Sequence, residues 1–225
     1  QLPIRYGQLS QEKVGIGLLV KQYCESKGIR HDIAWTEDAR IYGPKWYEFI
    51  ASCSAMLGSE SGSNVFDWDS TLVSRIDAFR RSKRNATDEE IYRAVIEPLE
   101  IPGIMNQVSP RIFEAIALRT VLVLFEGNYS GVVIPERHFI PLKKDGSNLD
   151  TVFSLLRDGR YVDEMTDRAY QEIIAPGKYS YQAFVRMVDE QIALSMETLE
   201  MESEPPLLAA WMVDHGEQSS PLTTR

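Results

Sequence analysis

Apolar positions follow two alternating periods along the chain, one helical and one extended. From Ser10, read as an N-cap, to about Lys27 they fall at helical spacing, with Val14, Leu18 and Tyr23 facing inward and Gly28 as the stop. His31 to Trp35 reads as a strand, and Pro44 opens a strongly aromatic helix, Trp46, Tyr47, Phe49 and Ile50, that runs to Cys53. Ser54 to Ser59 is the next strand, ending in the hydroxyl-rich loop Gly58-Ser-Glu-Ser-Gly-Ser-Asn64. A helix over Thr71 to Arg80 and another capped by Thr87 follow before Pro98, Pro102 and Gly103 interrupt the pattern.

The most informative stretch is 106–131. Ser109 suits an N-cap and Pro110 the first helical position, after which Ile112, Phe113, Ile116 and Ala117 form one apolar stripe. Thr120 to Phe125 has no polar alternation after Thr120, the pattern of a central parallel strand covered on both faces. It ends in Glu126-Gly-Asn-Tyr-Ser-Gly131, placed where open α/β sheets bind ligands. Phe139 to Leu142 is a further short strand, and from Leu149 the pattern is helical: Val152 to Leu156, Asp163 to Ile174 and Tyr179 to about Leu199. Strand and helix alternate, so the expected class is α/β, a Rossmann-like three-layer domain with a parallel sheet over residues 1–200. Residues 201–225 read as a mostly disordered tail with a short apolar turn at Leu207 to Val213.

Composition narrows the chemistry. A formal net charge of −9 argues against nucleic acid or anionic membrane as the main partner, because both select for basic surfaces. No run approaches a membrane span and no signal peptide opens the chain, so a cytoplasmic location is expected. The chain opens at Gln1, and we expect a fragment whose upstream domain is absent. Cys24 and Cys53 each sit inside an apolar pattern and read as buried free thiols. Gly15 and Gly17 lack the dinucleotide fingerprint and read as packing positions.

Several polar groups carry two readings. Arg111 puts a cation in a first helical turn, where the dipole disfavours it by roughly 0.3–1 kcal/mol. Either an anion shared with the helix N–H groups offsets that cost, or a carboxylate or solvent does. Glu114 is either a surface carboxylate or a hydroxyl acceptor facing the same pocket. Asp67-Trp-Asp69 invites a divalent-cation reading, but two carboxylates are a thin site and helix capping accounts for them better. Arg80-Arg-Ser-Lys-Arg84 reads as a solvated helix end, and His138 as a structural hydrogen-bonder near the proposed pocket.

Ser109-Pro-Arg-Ile-Phe-Glu-Ala-Ile-Ala117, the strand after it and Glu126-Gly-Asn-Tyr-Ser-Gly131 resemble the nucleotide-sugar half of group 1 glycosyltransferases with the GT-B fold. The likeness is greatest to the branch that includes spore-maturation-protein-like bacterial glycosyltransferases, which share a Leu-Gly-x-Glu-Ser-Gly pattern like that at Leu57 to Gly62. It spans roughly residues 40–190 and implies the C-terminal half of a GT-B enzyme with a helical C-terminal extension, residues 178–200 crossing back toward the upstream acceptor domain. In that family the Glu-Ala-x-Ala carboxylate holds the ribose hydroxyls, a role that falls on Glu114. The resemblance further assigns Arg111 to the diphosphate, the 127–131 loop (Gly127, Tyr129, Ser130, Gly131) to diphosphate or sugar, and Glu60, Ser61 and Gly62 to sugar or acceptor. Ser109, Glu126 and His138 complete the donor-binding set.

Two positions depart from the family: Asn106 stands where a second carboxylate is common, and Arg119 where a small glycine often ends the helix. The resemblance implies a nucleoside-diphosphate sugar as substrate, a glycan, lipid or protein acceptor, and no metal or other cofactor. A general base, if the reaction inverts, is expected upstream. The alternatives are a non-catalytic Rossmann-like module that binds a nucleotide or a protein, and a nucleotide-sugar epimerase, for which His138 and Glu126 are the acid–base candidates.

Overall fold

A computed structural model describes residues 4–203, so most of the expected tail, including Leu207 to Val213, lies outside the described residues. The chain divides into two compact units, one ending at Pro176 and one beginning at Gly177. The first unit holds helices α1 (Gln8–Lys27), α2 (Pro44–Ser52), α3 (Leu72–Ser82), α4 (Asp88–Ile91), α5 (Pro110–Ala117), α6 (Leu149–Arg157) and α7 (Gly159–Ala169). Its strands are β1 (Ala55–Gly58), β2 (Val121–Phe125) and β3 (Ile140–Leu142). The second unit holds α8 (Tyr181–Ser203).

The class is α/β, with a three-stranded open parallel sheet in the order β1-β2-β3. Strand β2 is central because all five of its residues are apolar and all are buried. Its side chains alternate between two clusters. Val121, Val123 and Phe125 meet Ile16, Val20 and Cys24 of α1 and Val152 of α6, while Leu122 and Leu124 meet Ile50 of α2 and Ile112, Ala115 and Ile116 of α5. Burying each such side chain is worth about 1.5–3 kcal/mol, so this strand and its two helical covers supply much of the driving force for the unit. A third apolar cluster joins Leu72 and Ile76 of α3 to Ile91 of α4 and to Val95 and Ile96 in the π-helical turn after it. Among the described residues no helix is long and apolar enough to cross a membrane.

Three local expectations need correction. His31 to Trp35 is irregular rather than a strand. Its alternating apolar residues have another use: Ile33 and Trp35 lie over the notch at Gly17, where an added Cβ would stand 3.4 and 3.5 Å from them. Helix α1 starts at Gln8 rather than after Ser10, because the Glu100 carboxylate accepts the Gln8 N–H while Ser10 Oγ donates to the Gly7 carbonyl at 2.8 Å. The final helix of the first unit begins four residues early, at Gly159 rather than Asp163, since Asp158 caps it by accepting from Tyr161 N at 3.1 Å.

Asp67 and Asp69 act as local caps. Asp67 accepts from Leu72 N at 3.1 Å, and Asp69 from Thr71 N and Oγ1 at 3.2 and 2.8 Å, which holds the Asp69 carboxyl below its ordinary range. The basic run ending α3 is partly neutralised by the first turn of α4, through Arg80 with Asp88 at 3.6 Å and Lys83 with Glu90 at 2.6 Å.

Candidate functional site

The carboxyl ends of β1 and β2 open into loops that are tied together by one buried carboxylate. Glu60, 7% exposed, accepts from the backbone N–H groups of Asn128 and Tyr129 at 3.1 and 2.8 Å through Oε1, and from Asn106 Nδ2 at 2.7 Å through Oε2. A buried carboxylate needs such donors, since leaving each polar partner unmade costs roughly 1–3 kcal/mol. Gly127 is required beside it, because a Cβ there would stand 2.8 Å from the Glu60 carboxyl carbon. Tyr129, Ser130 and Gly131 then run at positive φ, 49°, 56° and 67°.

The neighbouring segment is stitched in the same way. Gln107 exchanges two backbone hydrogen bonds with Ser61, both 2.8 Å, and Val108 N donates to Ser130 Oγ at 3.2 Å. Gly62, at φ 122°, lies directly against the Met105 carbonyl, where any side chain would collide. Three consecutive residues, Asn106, Gln107 and Val108, are therefore fixed to the loops after β1 and β2, and they deliver the chain into α5. Ser109 is its N-cap by backbone geometry, but its hydroxyl makes no cap bond.

From that helix start Arg111 and Glu114 project one turn apart, and both meet Trp46 of α2. The Arg111 guanidinium lies 5.2 Å from the centre of the Trp46 ring, and the Trp46 indole N–H donates to Glu114 Oε2 at 2.8 Å. A cation over an indole is worth about 0.5–2 kcal/mol, which offsets the unfavourable helix dipole at Arg111. Arg111 makes no ion pair with a described residue. Across from it, Lys13 of α1 donates to Ser61 Oγ at 3.2 Å. Its ammonium is pushed below the ordinary lysine range, first by burial and then by the positive charge of Arg111. The two cations are thus within electrostatic reach of each other, Lys13 on the Ser61 hydroxyl and Arg111 at the start of α5.

The residues expected to bind the donor divide accordingly. Ser61, Gly62, Ser109, Arg111 and Glu114 are drawn to one place through the stitched loops and Lys13. Glu60 faces inward as the tie between the loops, with its acceptor oxygens on three N–H donors, and Gly127 makes room for it. The Tyr129 side chain is fully buried: its hydroxyl donates to the Phe125 carbonyl at 2.6 Å and its ring meets Phe139 edge-on, 5.4 Å between centres. Burial and the nearby Glu60 and Glu12 carboxylates push that phenol far above its ordinary value. Ser130 and Gly131 are exposed at the loop's far end, and Glu126 is exposed at the strand end.

His138 stands in a different cluster. It precedes β3, is 4% exposed, accepts from Ile134 N at 3.1 Å through Nδ1 and pairs with Glu172 at 2.8 Å through Nε2. Since Nδ1 accepts, Nε2 carries the proton and donates. Arg137 grips the same carboxylate with both Nε and Nη2, at 2.8 and 2.5 Å, and these two partners hold the Glu172 carboxyl at about 2. The apolar–polar pattern missed Trp46, which reads as core within an aromatic helix, and Lys13, which lies about a hundred residues from Arg111 in sequence. A further buried carboxylate, Glu12 of α1, pairs with Lys144 beyond β3 at 2.5 Å. Among the described residues no cluster has the make-up of a metal site.

Two outcomes follow from this geometry. Glu60→Gln is isosteric but turns an NH₂ group toward N–H donors, so it should lower unfolding free energy by roughly 1–3 kcal/mol in denaturant titrations. Glu172 is held below its ordinary 4.5, so its stabilising contribution is complete above that value and is lost as pH falls toward about 2. The stability gap between wild type and Glu172→Gln should accordingly be constant near neutrality and close on acidification. Comparison with family models, with curated proteins and with solved structures finds no match, so the chemistry of the site rests on its own residues.

Proposed function

We propose that this chain is the donor-binding half of a GT-B glycosyltransferase, holding a nucleoside-diphosphate sugar for transfer to a glycan, lipid or protein acceptor. The observation that carries the reading is Lys13 on the Ser61 hydroxyl in the loop after β1, within electrostatic reach of Arg111 in the first turn of α5, both cations without a counter-carboxylate among the described residues. Like charges within reach of each other repel, and a dianionic diphosphate between them relieves that repulsion. Sugar transfer needs such a site, because the departing diphosphate gains negative charge as the glycosidic bond breaks. On this reading Arg111 and Lys13 hold the diphosphate, and the positive end of the α5 dipole adds to them. Glu114, with one oxygen on Trp46, offers the other to the ribose. Ser61 and Gly62 border the sugar. The acid–base chemistry of an epimerase would call on His138, whose two ring nitrogens are engaged by Ile134 and Glu172.

The test is calorimetric titration with UDP, GDP and their common sugar conjugates. Wild type should bind one nucleotide saturably, and Lys13→Ala and Arg111→Ala should each weaken it by about tenfold or more, ~1.4 kcal/mol. Affinity should fall with rising pH earlier than an ordinary lysine would dictate, because the Lys13 ammonium loses its proton below the usual range. A folded wild type that binds none of these ligands, or binding indifferent to both substitutions, would favour the non-catalytic module.

A further inference from the structure

Trp46 touches both residues assigned to the donor, and it does so with different parts of one ring. The edge donates its N–H to Glu114 Oε2, and the face carries the Arg111 guanidinium. Its own position is set by α2, which begins at Pro44, and by stacking on Phe49 with centres 6.0 Å apart. Glu114 Oε1 has no partner among the described residues. A lone carboxylate on a helix surface samples several rotamers. One oxygen tied to a rigid indole leaves the other pointing in a single direction, so the acceptor is ordered before a ligand arrives.

We propose that Trp46 is a positioning residue that makes the site select a ribonucleotide. By fixing Oε2 it presents Oε1 to the vicinal hydroxyls of a ribose, and by stacking it aims Arg111 at the diphosphate. The two effects are separable, since phenylalanine keeps a ring face but has no N–H, and leucine has neither. The inference rests on the donor-site reading above.

The experiment compares wild type, Trp46→Phe and Trp46→Leu by calorimetry. UDP, GDP, ADP and CDP are titrated first, and the one that binds wild type best is then compared with its 2′-deoxy form and with its monophosphate. Wild type should prefer the ribose over the 2′-deoxy form by about tenfold or more. Trp46→Phe should lose that preference while keeping the preference for diphosphate over monophosphate, and Trp46→Leu should lose both. A merely structural role would weaken every ligand by the same factor, and that result, or an intact ribose preference in Trp46→Phe, overturns the proposal and leaves the donor site standing. A wild type that binds none of the four nucleotides overturns the donor site and this inference together. If the variants do not fold, the wild-type indole N–H resonance of Trp46, assigned with Trp35→Phe, Trp68→Phe and Trp211→Phe, gives the answer. It should shift with the ribonucleotide and much less with the 2′-deoxy form, and equal shifts would overturn the proposal.

Discussion

The carboxylate of Glu60 is the constraint on which the working end of this unit depends. Removed from water, it needs hydrogen-bond donors, and it takes them from two other segments: Asn128 and Tyr129 after β2, and Asn106 before α5. That demand fixes Gly127 as the residue beside it and sends the chain through three consecutive positive-φ residues. The bonds of Gln107 to Ser61 and of Val108 to Ser130 continue the same stitching. Helix α5 therefore starts from an anchored point, and the directions of Arg111 and Glu114 follow from that anchor and from Trp46.

Charge is the second constraint on the site. The chain carries a formal net charge of −9, and many of its cations have carboxylate partners: Lys144 with Glu12, Arg119 with Asp167, Arg137 with Glu172. Among the described residues Lys13 and Arg111 have none, and the positive charge of Arg111 acts on the partly buried Lys13. Glu172 titrates far below its ordinary value because Arg137 and His138 hold it, whereas burial first and then the charge of Arg111 lower the Lys13 ammonium.

The sheet was legible because its signal is local. An unbroken apolar run from Val121 to Phe125 admits burial on both faces, and Pro110 after Ser109 marks a helix start whatever surrounds it. His31 to Trp35 failed for the complementary reason. Alternating apolar residues state that one side is buried but not against what, and the partner here is a glycine notch in α1 rather than a neighbouring strand. Of the site, the loops were legible as loops and Arg111 as an anomaly. The inward turn of Glu60, the burial of Tyr129 and the removal of His138 to Glu172 depend on contacts across 34 to 69 residues, which no spacing encodes. Trp46 and Lys13 were hidden for the same reason.

On the proposed reading, the space between Lys13, Ser61 and the first turn of α5 receives the diphosphate of a nucleotide. The most direct measurement is a map of amide and lysine side-chain NMR shifts on adding UDP or GDP to the folded protein. Perturbations should centre on Lys13, Ser61 and Arg111 to Glu114, with the Lys13 ammonium resonance among the largest movers. Shifts centred elsewhere, for example around His138 and Glu172, or no saturable shift with either nucleotide, would contradict it.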